Sequence, residues 1–102
     1  MSKFTVGRTT DDKFYMLRFE IDDEISDRPE FEFRSSYHVL DARLLGLSYP
    51  DYLKFCSSKG AKLRGRRGYT YPIWEKEKDC KEICQLLNKE WSEIRKVLIG
   101  GD

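Results

Sequence analysis

An apolar stripe in the last quarter of the chain constrains the fold more strongly than any other feature of the sequence. Its members recur at alternating steps of four and three residues: Cys80, Cys84, Leu87, Trp91, Ile94 and Leu98. The opposite side carries Lys81, Glu82, Lys89 and Glu93. This spacing predicts an amphipathic helix of about five turns, with Asp79 as N-cap and Glu82 at capping-box distance. Such a helix must bury its apolar face against another layer.

Alternating apolar residues near the start of the chain predict that layer. The positions at period two are Tyr15, Leu17, Phe19 and Ile21, and they predict a β-strand over residues 14–21. Residues 3–6 form a candidate partner strand, with residues 7–13 as the turn. The acidic segment 22–30 is interpreted as a loop, and alternation over residues 31–34 predicts a further strand.

Cap and turn residues in the middle of the chain predict two short helices. Ser35 and Ser36 are suitable N-caps for the first helix, which Gly46 ends. Ser48 caps the second helix, and Gly60 is placed to end it. The helices therefore lie close together in sequence, with a short turn between them.

A hairpin follows the helix pair and completes the predicted architecture. Residues 61–65 and 68–74 are strand-like, and only Arg66 and Arg67 separate them, which predicts a β-hairpin with a basic tip. We therefore predict an α+β fold in a single domain over residues 1–102. It consists of a small antiparallel sheet with two short helices, a basic β-hairpin and a long C-terminal amphipathic helix. The stripe of that helix is expected to pack on the strand face of Leu17, Phe19 and Ile21.

Charge is distributed unevenly along the chain. Residues 11–32 hold nine acidic and three basic residues, whereas residues 42–68 hold one acidic and seven basic residues. The net charge of +1 therefore conceals a block of −6 followed by a block of +6. The near-zero total excludes a protein that coats DNA indiscriminately. Two interpretations stay open: two solvated faces that attract each other, or a basic patch that holds an anion such as a phosphate backbone.

Composition and cysteine content limit the class of protein. No apolar run approaches the roughly 20 residues that a bilayer requires, and the apolar content is too high for a disordered tail. Three cysteines and an N-terminus without a signal-peptide stretch predict a reducing, cytoplasmic setting. Cys80 and Cys84 lie on the helix stripe and are interpreted as buried apolar residues rather than zinc ligands. We predict no enzymatic activity, metal or cofactor, because no motif for a nucleophile, a calcium loop or a P-loop occurs.

A helix-turn-helix spacing lies inside the basic block. Two closely packed helices need a small residue, a glycine four residues later and a polar cap, and Ala42, Gly46 and Ser48 meet these needs. Residues 39–74 resemble the winged helix-turn-helix of excisionase and MerR-type proteins. The matching residues are Ala42, Gly46, Leu47, Ser48, Tyr52, Gly60, Gly65, Arg66, Arg67 and Tyr69. The resemblance implies a second helix in the DNA major groove and a basic hairpin as the wing. Asp51 departs from the charge expected there, and a helix pair packed beneath the sheet is the alternative.

Two functions follow from these patterns. The first is a small intracellular nucleic-acid-binding module, with DNA preferred to RNA. Its predicted contact residues are Tyr49, Lys54, Lys59, Lys62, Arg64, Arg66, Arg67 and Tyr69. The second is a small protein-binding adaptor or inhibitor, of the type that phages and mobile elements direct against host defence proteins. The many aromatic residues would also suit the interface of a homodimer.

Overall fold

A computed structural model describes residues 3–20, 37–66 and 69–98 and confirms the predicted α+β fold. In chain order its elements are β1 (Lys3–Arg8), β2 (Tyr15–Glu20), α1 (Tyr37–Leu44), α2 (Tyr49–Ser58), β3 (Ala61–Arg66), β4 (Tyr69–Trp74) and α3 (Glu77–Leu98). The strand predicted over residues 31–34, the loop over 22–30 and the caps Ser35 and Ser36 lie outside the described residues. Within the described ranges, no helix is both long and apolar enough to cross a bilayer.

The four strands form one antiparallel sheet in the order β1-β2-β4-β3. β1 and β2 pair along their whole length, and so do β3 and β4. Among the described residues, β2 and β4 are joined at Tyr15 and Trp74. Pro72 lies in β4 and has no N–H to donate to a neighbouring strand, which agrees with this short junction. The sheet is therefore built from two hairpins that meet at one pair of residues.

The first hairpin confirms the predicted strand pair, with one correction. β1 continues to Arg8, so Gly7 belongs to the strand and does not begin the turn. Gly7 pairs with Met16, and the Arg18 side chain crosses over it, where an added Cβ atom would collide with that side chain. The glycine is explained by this close approach, which periodicity along one strand does not reveal.

α3 begins at Glu77, two residues before the predicted N-cap. The Cys80 N–H donates to the Lys76 carbonyl oxygen at 3.4 Å, so Asp79 already lies inside the first turn and the capping prediction was wrong. An acidic residue in the first turn is still favourable, because it interacts with the positive end of the helix dipole. The Asp79 carboxylate lies against Gly60, where an added Cβ atom would be 2.7 Å from Asp79 Oδ2.

The apolar stripe of α3 packs on the sheet as predicted. Its buried members are Cys80, Cys84, Leu87 and Trp91, and Ile83 beside the stripe is also buried. The Trp91 ring meets the Phe19 ring edge to face with 5.1 Å between ring centres, and Phe19 packs on Phe4 at 4.8 Å. Aromatic pairs prefer such tilted and edge-to-face geometries. The side chains of Ile94 and Leu98, and the predicted sheet contact Ile21, lie outside the described residues.

Asn88 fixes the outer strand β1 to α3, a contact that no sequence pattern indicated. Its Oδ1 accepts a hydrogen bond from the Phe4 N–H at 2.7 Å, and its Nδ2 donates to the Phe4 carbonyl oxygen at 2.9 Å. The Cys84 thiol donates to the same carbonyl oxygen at 3.3 Å. Because the outer edge of a sheet presents unpaired backbone groups, Asn88 satisfies two of them and holds β1 against the helix.

Candidate nucleic-acid interface

α1 and α2 are joined by the tight turn that the sequence predicted. Ala42 is buried, and its carbonyl oxygen accepts a hydrogen bond from the Leu47 N–H at 2.9 Å. Gly46 adopts a positive φ of 69°, a conformation that residues with a side chain rarely adopt. The Ser48 hydroxyl oxygen accepts from the Asp51 N–H at 3.3 Å and caps α2. Two short helices thus meet at a glycine turn, immediately before the β3–β4 hairpin.

A buried polar contact locks the two helices together. The Tyr52 hydroxyl donates to Asp41 Oδ2 at 2.9 Å, and both residues are buried. Burial raises the pKa of Asp41 to about 7, although the hydrogen bond from Tyr52 opposes the shift. The sequence did not predict this pair, because an aspartate inside a short helix carries no pattern that distinguishes it from a solvated one.

The predicted contact residues of α2 occupy different environments. Lys54 is exposed, and the exposed Asp51 precedes it by three residues on α2. The ammonium of Lys59 lies 6.0 Å from the centre of an aromatic ring of α2. Tyr49 is half-buried, and its hydroxyl donates to the Thr70 carbonyl oxygen of β4. In this structure the Tyr49 hydroxyl therefore holds the hairpin against α2.

β3 carries basic residues at alternate positions. The register pairs Lys62 with Ile73, Arg64 with Tyr71 and Arg66 with Tyr69. Ala61, which precedes Lys62, pairs with Trp74, whose ring lies in the core that the helices cover. Because successive strand residues alternate between faces, the register assigns one set of residues to the face opposite the helices. We call this set the basic row: Lys62, Arg64 and Arg66.

The structure brings part of the predicted set together and separates the rest. The basic row shares one sheet face, whereas Lys54 and Lys59 belong to the helix layer on the other face. Tyr71, which pairs with Arg64, is only 8% exposed. Arg67 and the side chains of Arg66 and Tyr69 lie outside the described set, so Arg66 is placed in the row by its strand register alone.

Carboxylates of the same chain already occupy two cations of the basic row. Arg64 Nη2 lies 3.2 Å from Asp11 Oδ2, and Lys62 Nζ pairs with a Glu75 carboxylate oxygen. Both cations also lie over the Phe14 ring, at 5.8 Å for Lys62 and 5.1 Å for Arg64 from its centre. Asp11 belongs to the acidic block and Arg64 to the basic one, so the two blocks attract each other at this contact.

The loop between β1 and β2 holds Asp11 in place. The Thr9 hydroxyl donates to Asp11 Oδ1, and the Lys13 N–H donates to the same oxygen at 3.3 Å, while Oδ2 faces Arg64. The hydrogen bond from Thr9, with smaller contributions from Lys13 and Arg64, lowers the pKa of Asp11. The hydrogen bond from Lys62 similarly lowers the pKa of Glu75. Both carboxylates therefore stay ionised against the basic row at neutral pH.

The three cysteines are free and buried. Burial raises the pKa of Cys56 and Cys80 to about 12 and also raises that of Cys84, so the thiols are protonated and weakly nucleophilic at neutral pH. Their burial confirms the interpretation of Cys80 and Cys84 as core residues. In the part of the chain that the structure describes, no three His, Cys, Asp or Glu side chains are arranged to hold a metal ion.

No protein-family model, no curated protein and no solved structure matches this chain. The candidate interface is accordingly defined by the geometry of the basic row and of the helix pair that supports it.

Proposed function

We propose that this protein binds nucleic acid through the phosphate backbone and uses the β3–β4 hairpin as its main contact. The observation that carries the proposal is the basic row, in which cations recur at every second residue of an outer strand of the described sheet. Arg67 follows directly in the sequence and adds a fourth cation to the segment. Lysine and arginine neutralise phosphates and release counterions, which supplies most of the affinity in non-specific nucleic-acid binding.

The ion pairs of the basic row are compatible with phosphate binding. The side chains of Lys62 and Glu75 are both 59% exposed, and those of Arg64 and Asp11 are 31% and 39% exposed. Exposed ion pairs contribute little to stability. A phosphate that makes charge-assisted hydrogen bonds to the same cations can therefore replace the carboxylates. The carboxylates also mark where an oxyanion can meet each cation.

The helix pair supports the hairpin in this proposal. Trp74 Nε1 donates to the Lys59 carbonyl oxygen at 3.2 Å, and the Tyr49 hydroxyl donates to the Thr70 carbonyl oxygen. These two contacts fix β4 against α2. Lys54 and Lys59 act as secondary contacts, since they belong to the helix layer and not to the sheet face of the basic row.

Fluorescence anisotropy with labelled mixed-sequence DNA and RNA tests the proposal. For three or four phosphate contacts, the logarithm of the affinity for duplex DNA falls against the logarithm of salt concentration with a slope of about −3. The double variant Lys62→Ala, Arg64→Ala is expected to weaken binding and reduce the steepness of that slope by about 2. The matched control Lys81→Ala, Lys89→Ala removes the same charge from the exposed side of α3. Absent binding at low salt, or equal losses in both double variants, would contradict the proposal.

A second candidate function, docking of an extended protein segment on β3, is favoured by a different observation. Leu63 is 48% exposed on β3, and an outer strand can accept a strand from a partner. If β3 paired antiparallel with β3 of a second copy about Arg64, Arg64 would face Arg64 and Lys62 would face Arg66. Repulsion between these like charges disfavours such a dimer. An acidic partner segment is therefore favoured over a homodimer at this edge. Sedimentation velocity checks this: a monomer is expected, and a dimer that Leu63→Asp dissociates would contradict it.

A further inference from the structure

We infer that the ligand of the basic row is a single strand of nucleic acid, held by its phosphodiester backbone while its bases are not read. This inference rests on the function proposed above and specifies its ligand. It follows from three properties of the sheet face: the spacing of the cations, their arrangement in one row, and the burial of Tyr71, the described aromatic residue that pairs with the row.

The spacing of the basic row suits one extended strand of nucleic acid. Alternate residues of a β-strand lie about 6.5 Å apart along one face. Lys62, Arg64 and Arg66 occupy three successive positions of this kind. Consecutive phosphates of an extended single strand are separated by a similar distance, so each cation can meet one phosphate. Glu75 and Asp11 already place one oxyanion at Lys62 and one at Arg64.

Among the residues that the structure describes, the basic row provides cations for one backbone and not for two. A duplex presents two phosphate backbones, and the second one would need its own cations or an element that enters a groove. Arg18, on the same face of β2, donates to the Arg8 carbonyl oxygen of β1 at 3.2 Å. β1 lies on the side of β2 remote from β3, so Arg18 is directed away from the basic row. Lys54 of α2 belongs to the opposite face of the sheet.

Among the described residues, the aromatic side chains beside the basic row offer little exposed surface for base stacking. Tyr71 and Ile73, which pair with the basic row, are both buried. Lys62 and Arg64 lie over the Phe14 ring. Stacking on exposed rings is what adds base contacts in many single-strand binders. Where the described rings are covered, the affinity comes from the backbone and tolerates any base sequence.

Removing the internal carboxylates tests where the strand binds. Asp11→Asn and Glu75→Gln delete the competing charge, and the amide at position 11 keeps an oxygen for the hydrogen bonds from Thr9 and Lys13. Each substitution is expected to raise the affinity for a single strand about two- to fivefold, the range that loss of an exposed ion pair supports. The matched control Glu82→Gln removes an exposed charge from α3 and is expected to leave the affinity unchanged. An equal rise in the control would place the strand away from the basic row.

The choice of ligand is tested with the full chain and labelled oligonucleotides of about twelve nucleotides, within the usual site size of single-strand binders. The probes are oligo-dT, oligo-U, a mixed-sequence single strand and the duplex of that sequence. We expect the three single strands to bind within about threefold of one another, because the bases are not read, and more tightly than the duplex, because the basic row meets one backbone. A preference of tenfold among the single strands would show that bases or sugars are read, and would overturn the inference. Duplex binding that equals or exceeds single-strand binding would also overturn the inference. If the double variant Lys62→Ala, Arg64→Ala then abolished the duplex binding, the proposed function would still stand. Absence of binding to every probe would overturn the proposed function itself.

Discussion

The two hairpins of the sheet differ in their outer strands: α3 covers β1, whereas β3 is exposed. In β1, both backbone groups of Phe4 are bonded to Asn88, and the adjacent Phe19 ring packs against Trp91 of α3. In β3, the outer strand carries the basic row and leaves Leu63 48% exposed. Charged residues on an outer strand discourage unwanted strand pairing. The β1–β2 hairpin is therefore part of the core, whereas the β3–β4 hairpin presents its outer strand to solvent, where a ligand can reach it.

The largest expected effect is on the core side of this comparison. Trp91→Ala removes a buried ring that packs on Phe19, and we expect it to lower the free energy of unfolding by about 3–5 kcal/mol. Urea unfolding followed by circular dichroism measures the change. Leu63→Ala on β3 is the matched control, and it is expected to cost much less because Leu63 is exposed. An unchanged midpoint for Trp91→Ala would refute the packing of α3 on β1–β2.

The second prediction concerns pH and the helix pair that supports β3–β4. The Asp41 carboxyl keeps its proton up to about pH 7 in the folded chain, but only to about pH 4 when unfolded. The folded state therefore binds more protons between these values, so stability is greatest below about pH 4 for this group and is lost as the pH rises to about 7. The loss amounts to at most about 4 kcal/mol. Asp11 and Glu75 have lowered pKa values and act in the opposite direction, at lower pH.

Asp41→Asn isolates this effect. The amide oxygen can still accept from the Tyr52 hydroxyl, but the side chain no longer ionises. Urea unfolding at a series of pH values between about 4 and 8 is expected to show a downward slope for the wild type and a much flatter profile for Asp41→Asn. Asp51→Asn, which changes an exposed carboxylate of α2, should keep the wild-type slope. Parallel profiles for the wild type and Asp41→Asn would refute the role of Asp41.

A smaller effect is expected where Asn88 closes the edge of β1. Asn88→Ala leaves the Phe4 N–H without its partner and removes one donor from the Phe4 carbonyl oxygen, which should cost about 1–3 kcal/mol. Amide hydrogen exchange at Phe4 should accelerate at the same time. Lys89→Ala, one residue along on the exposed side of α3, serves as control and should change neither measurement appreciably. If Phe4 stays equally protected in Asn88→Ala, another group closes this edge.

Local patterns explain why so much of this architecture was predictable. Period-two alternation located β2, the helical stripe located α3, and turn chemistry located Gly46 and Ser48, because each signal depends on residues close together in sequence. The start of α3 was misplaced because Asp79 is favourable both as an N-cap and in a first turn. The hairpin and its bases were predicted for the same local reason, although the sheet face that they occupy depends on pairing with β4.

Contacts between distant residues explain what could not be predicted. Asn88 and Phe4 are 84 residues apart, and Arg64 and Asp11 are 53 residues apart. In the sequence, Asn88 and Asp11 look like ordinary solvated residues. Their partners come into contact with them only when the sheet forms. The attraction between the acidic and basic blocks was foreseen as an alternative, but which atoms meet could be learned only from the fold.

The smallest expected effect on stability is on the ligand-facing side of the comparison, and it separates binding from folding. Lys62→Ala with Arg64→Ala removes two exposed ion pairs, and such pairs contribute little to folding. We expect the urea midpoint to shift by no more than about a few tenths of a molar, while nucleic-acid affinity falls. Trp91→Ala should show the reverse order of effects, with a large loss of stability and retained affinity under conditions where the chain stays folded. A large loss of stability in the basic-row variant would mean that Asp11 and Glu75 hold the two hairpins together, and the β3 cations would then be structural residues of the same kind as Asn88.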